Sequence, residues 1–180
     1  MFDLFGRLFD KRKQYTEKAI SADFVRAVFD DAADFLPDIC SSIEDLFGAV
    51  QLADRKRAVQ DVAATFLALE LQALPNLFPK AQANRLRSRV LDYITSKHGE
   101  YAAVEVRAYE EIFRGELDAR MNPVERISER LLYRLTHLEL SYDTDAFVVK
   151  PLVTSFLGVC IAGTCGRWKR LRDLFRIIEG

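Results

Sequence analysis

Apolar residues recur at three- and four-residue steps along most of this chain, the spacing that gives a helix one apolar face. Phe2, Leu4, Phe5, Leu8 and Phe9 form such a stripe on a short N-terminal helix, weakened by Gly6. Asp10 to Lys18 is polar and charged and reads as a linker. Ser21 can cap a helix through Phe24, Val25, Val28, Phe29, Ala32, Phe35 and Leu36, and the pattern ends it near Pro37. Ser41 or Ser42 can start a short helix through Ile43, Leu46 and Phe47, closed by Gly48.

Asp54 caps the next element, in which Ala58, Val59, Val62, Ala63, Phe66, Leu67, Leu69, Glu70 and Leu74 make a helix stopped at Pro75-Asn76. Pro79 suits the first turn of its successor, which runs through Leu86, Val90, Leu91, Tyr93 and Ile94 to Lys97, with Gly99 as its C-cap. Tyr101 to Phe113 predicts another helix ending near Gly115. The alternation of Val104 and Val106 is strand-like, but the surrounding Ala and Glu favour helix. Asn122-Pro123-Val124-Glu125 is the clearest helix start: Asn caps, Pro takes the first helical position, and Glu can return a hydrogen bond. Ile127, Leu131, Leu132, Leu135, Leu138 and Leu140 follow.

The segment from Ala146 to Gly166 differs from all of these. It is apolar all round, with one charge (Lys150) and one proline (Pro151), and Asp143 or Thr144 can cap it. Sixteen uncharged residues lie between Lys150 and Arg167. As a helix they cover about 24 Å, short of the roughly 30 Å of a hydrocarbon core. The many amphipathic helices need something apolar to cover, so the run reads as a buried central helix rather than a membrane span. Ser155, Gly158, Ala162 and Gly166 recur about one turn apart and would let a neighbour approach closely.

The predicted fold is therefore all-α: a multi-helix globular bundle of seven or eight helices around a central apolar helix at about 145–166. Residues 1–18 read as an N-terminal amphipathic arm, and residues 19–180 as a single helical domain ending in a basic amphipathic helix. No hairpin signal and no internal repeat is visible.

Composition refines this picture only in places. Thirteen phenylalanines predict an aromatic-rich core, and a net charge of -1 argues against bulk attraction to nucleic acid. The charge is unevenly placed: residues 21–54 hold eight acids and one Arg, and residues 167–180 hold five basic groups and two acids. Cys40, Cys160 and Cys165 have no framework or CxxC spacing and read as reduced thiols of a cytoplasmic protein. The first residues lack the pattern of a secretory leader, their apolar positions being broken by Asp3, Arg7 and Asp10.

Candidate contact residues fall at the two ends. In the tail, Trp168, Leu171 and Phe175 share a face with Ile178, while Lys169, Arg170, Arg172 and Arg176 lie around the rest. With Phe2, Phe5 and Phe9 they make two aromatic amphipathic ends suited to a partner protein, to self-association, or to a membrane surface. The alternative for the tail is docking on its own domain. Asp30, Asp31 and Asp34 form an acidic patch that can meet a basic partner or the chain's own basic tail. Arg85, Arg87 and Arg89 form a basic group without a recognition-helix geometry. His98, beside Gly99 and Glu100, suits a partly positive imidazole at a helix end, and His98 or His137 is a conceivable haem ligand. Neither has a Glu three residues before it, which excludes the di-iron bundle pattern, and no phosphate loop, dinucleotide fingerprint, hydrolase elbow or zinc motif is present. The reading is a non-enzymatic adaptor or regulator without cofactor or metal, acting through a hydrophobic groove or its terminal helices. A peripheral membrane protein using the basic C-terminal helix and a ligand- or haem-binding helical sensor are the alternatives.

Overall fold

The computed structural model describes residues 13–47, 54–114, 123–136 and 166–180. In chain order these form strand β1 (Lys13–Thr16), helices α1 (Glu17–Phe47), α2 (Arg55–Leu77), α3 (Lys80–His98), α4 (Glu100–Arg114), α5 (Pro123–Thr136) and α6 (Arg167–Leu174), and strand β2 (Phe175–Ile178). The chain is an all-α helical bundle, with six helices among the described residues where seven or eight were expected. The predicted central helix and the N-terminal stripe of Phe2, Phe5 and Phe9 lie outside the described residues, as do Cys160, Cys165 and His137.

Among the described residues, α2 is the element that every other helix touches. Its sequence explains why. From Asp61 to Ala68 every residue is buried, and Ala58, Ala63, Ala64 and Ala68 keep the cylinder slim enough for neighbours on all sides. Asp54 caps it as expected, its carboxylate accepting from the Lys56 and Arg57 N–H groups at 2.9 and 3.2 Å. Gly99 ends α3 at φ +91°, a conformation that side chains rarely adopt. Val104 and Val106 lie within helix α4, one exposed and one fully buried.

Three expectations need correction. First, α1 begins at Glu17, not at Ser21. The Thr16 hydroxyl accepts from the Ala19 N–H at 3.1 Å and caps the helix, while Ser21 is buried within it. Second, α1 does not break at Pro37. A helix-interior proline costs about 3 kcal/mol. Burying Ile39 and Ile43 returns about 1.5–3 kcal/mol each, and these positions continue the inward stripe of Ala32 and Leu36 past the exposed proline. Third, the tail is not one amphipathic helix. It stops at Leu174, and Phe175–Ile178 run parallel to β1 in the register Lys13↔Phe175, Gln14↔Arg176, Tyr15↔Ile177 and Thr16↔Ile178. Part of the supposed linker, Asp10 to Lys18, is thus strand β1. The two halves of this pair are four residues each and lie at opposite ends of the chain, so no local alternation announces them.

Candidate interaction site at the joined chain ends

The C-terminal helix is seated by a carboxylate and an indole. Glu70 is a charge on the apolar face of α2, only 2% exposed. Its oxygens accept from the Arg167 N–H at 2.9 Å and the Trp168 N–H at 3.5 Å, satisfying donors that a helix start leaves unpaired. Burial raises the Glu70 pKa, and these backbone hydrogen bonds pull it back. The Arg167 guanidinium pairs with Asp31 and lies 3.8 Å from Glu70. Trp168 is fully buried, its ring 4.4 Å from Phe24 and 6.1 Å from Phe78 between centroids, the second contact edge-on.

Strand β2 follows at once. Phe175 packs at 5.0 Å on Tyr15, and Tyr15, Phe175 and Ile177 rest against the core. The Gln82 side-chain amide donates to the Ile177 carbonyl at 3.3 Å, and the Phe175 N–H donates to the Leu171 carbonyl. Glu17, fully buried, binds Arg85 through both oxygens, and Arg85 also reaches Glu179 at 3.6 Å.

These bonds fix which way the sheet faces. Successive residues of a parallel strand turn their backbone groups to opposite edges. Phe175 and Ile177 bond to α6 and α3, so Arg176 and Ile178 face β1, and the register then turns Gln14 outward. The outer edge of β2 is therefore occupied by the chain itself, whereas no third strand pairs with β1 among the described residues. Leu174, at 63% exposed, lies next to the pair, and Lys13 and Gln14 are exposed.

This geometry redistributes the sequence-predicted site residues. Trp168 is core rather than a free contact residue, and Leu171 and Phe175 pack against that core. Arg172 pairs with Asp173 at 2.9 Å, and Arg176 is half-buried in β2. Of the acidic patch, Asp31 holds the chain's own tail while Asp30 and Asp34 are exposed. The basic group of α3 is divided: Arg85 is held by Glu17 and Arg87 by Glu110 at 2.6 Å, leaving Arg89 exposed. His98 does not serve as a positive cap. It stacks on Phe29 at 3.6 Å, and burial together with Lys56 lowers its pKa, which favours the neutral ring. The half-buried Cys40 thiol is pushed up by burial and then by Glu44, the wrong direction for a nucleophile.

The other buried polar cluster binds helices together. Glu105 on α4 takes Arg130 at 2.6 Å and also Arg134 from α5. Tyr101 donates to Asp61 at 2.8 Å under the guanidinium of Arg57, 4.6 Å from its ring. Sequence reasoning missed Thr16, Gln82 and the strand pair. It did place Glu70 on the apolar face of α2, and an acid in such a stripe was a readable signal. Among the described residues, no group of three or more His, Cys, Asp or Glu side chains could hold a metal, and no helix is long and apolar enough to cross a membrane. No protein-family model, curated protein or solved structure matches the chain.

Proposed function

We propose that this chain is a non-enzymatic protein-binding module that takes an extended segment of a partner protein along the outer edge of β1. The supporting observation is the asymmetry of the strand pair: β2's outer groups are used internally and β1's are not paired by any described strand. Strand addition to an exposed edge supplies affinity from backbone hydrogen bonds and needs no deep pocket. Two strands are also fewer than a sheet ordinarily needs for its own stability, so a third is a favourable addition. Leu174 offers an apolar neighbour to such a segment. The geometry favours a protein over a lipid surface, because Trp168 and Leu171, which a lipid-bound tail would insert, are packed into the bundle.

Proline at an outward edge position leaves the ladder behind it intact and removes one donor from the free edge. Gln14→Pro is therefore the discriminating variant. It should melt with the wild type and lose a partner that wild type and Gln14→Ala both retain in affinity capture. Equal recovery by all three would overturn the edge as the binding surface. Sedimentation of the purified chain identifies the case in which the partner is a second copy: a dimer dissociated by Gln14→Pro.

A further inference from the structure

Two residues past β1, the first turn of α1 faces α3 across a cleft of about 260 Å³ lined by Lys18, Arg89, Asp92, Tyr93 and Ser96. The four α3 residues lie at successive helical steps and share one face. The wall is held in place next door, where Glu17 grips Arg85 through both carboxylate oxygens. Lys18, Arg89 and Asp92 have no hydrogen-bond or ion-pair partner among the described residues, in contrast to Arg85 and Arg87, four and two residues before Arg89 on the same helix. The Ser96 hydroxyl donates to the Tyr93 carbonyl at 2.9 Å, so its oxygen remains an acceptor. The cleft thus offers two cationic donors, one carboxylate, one hydroxyl acceptor and the flank of an aromatic ring.

We propose that this cleft binds a free acidic amino acid. Two carboxylates match Lys18 and Arg89, and an ammonium matches Asp92 and the Ser96 oxygen. The ligand's charge of −1 then complements the +1 sum of the three charged residues. A guanidinium accepts a carboxylate through paired hydrogen bonds, which makes Arg89 the orienting group. A simple inorganic dianion fits less well because Asp92 repels it.

The test is a titration of the whole isotope-labelled chain, followed by amide and side-chain NMR, with L-glutamate, acetate and inorganic phosphate as separate probes. Saturable shifts centred on residues 18 and 89–96 are expected with glutamate, and weaker ones with acetate. Arg89→Gln should weaken glutamate about tenfold, the loss of one charge-assisted pair. Asp92→Asn should weaken glutamate while strengthening phosphate. All the altered side chains are exposed, so spectra elsewhere should not move. Shifts that do not saturate would overturn the proposal. So would phosphate binding as tightly as glutamate with no response to Asp92→Asn, which marks a counter-ion only.

Discussion

Asp61 shows how a single buried acid can be both a linker and a liability. One oxygen accepts from Tyr101, and the other has no hydrogen-bond partner among the described residues although Asp61 is only 1% exposed. Burial raises its pKa, the Tyr101 hydrogen bond opposes this, and nearby Glu105 adds to the rise. Between its unfolded pKa of about 3.9 and the raised folded value, the folded chain holds more protons than the unfolded one. Asp61 therefore contributes stability at low pH that is lost as pH rises through that window. Asparagine keeps an acceptor for Tyr101 and cannot ionise. Urea unfolding of Asp61→Asn and wild type should give a stability difference that grows in the variant's favour from about pH 4 upward, then levels. A difference that shrank with pH would mean that Arg57 and Arg134 outweigh desolvation at this site.

Elements were legible in the sequence where their boundaries are set locally. Asp54, Gly99 and Pro123 each mark an end by chemistry confined to a few residues, and α2, α3 and α5 start or stop where those signals lie. The errors fall where distant packing decides. Thr16 outcompetes Ser21 as the cap of α1 because Glu17 finds Arg85, sixty-eight residues away, and buries with it. Gln82 and β2 are likewise joined by tertiary contact alone. Pro37 is the sharpest case, because a local breaker is overridden by an apolar stripe that continues on both sides of it. Its local cost should then be recoverable. Replacing a helix-interior proline by alanine is worth about 3 kcal/mol, less about 1 kcal/mol for the freer unfolded chain. Pro37→Ala should stabilise the fold by about 2 kcal/mol, read as a higher urea midpoint at unchanged slope. An unchanged midpoint would show that α1 bends at this turn in a way the core requires.

At the scale of the whole molecule, the two described ends are tied into one system: α2 receives the start of α6 through Glu70, α6 leads into β2, and β2 pairs with the strand that opens α1. The indole of Trp168 is the apolar anchor of that closure. Truncating such a residue to alanine costs about 3–5 kcal/mol, against a total stability of about 5–15 kcal/mol for an ordinary domain. Its Nε1–H has no acceptor among the described residues, so Trp168→Phe removes an orphaned buried donor along with some volume and should cost under about 1.5 kcal/mol. The distribution of the alanine loss matters more than its size. Among the described residues, the tail meets the bundle through one short helix and one short strand, whereas α2 packs against five helices, so the tail is the unit expected to open first. Amide exchange in Trp168→Ala should therefore accelerate in β1, α6 and β2 while α2, α3 and α4 keep most of their protection. Uniform acceleration through α2 would instead make the tail part of one cooperative core. The edge of β1 would then be as rigid as the bundle itself, and a partner strand would meet a template already ordered rather than one that binding must order.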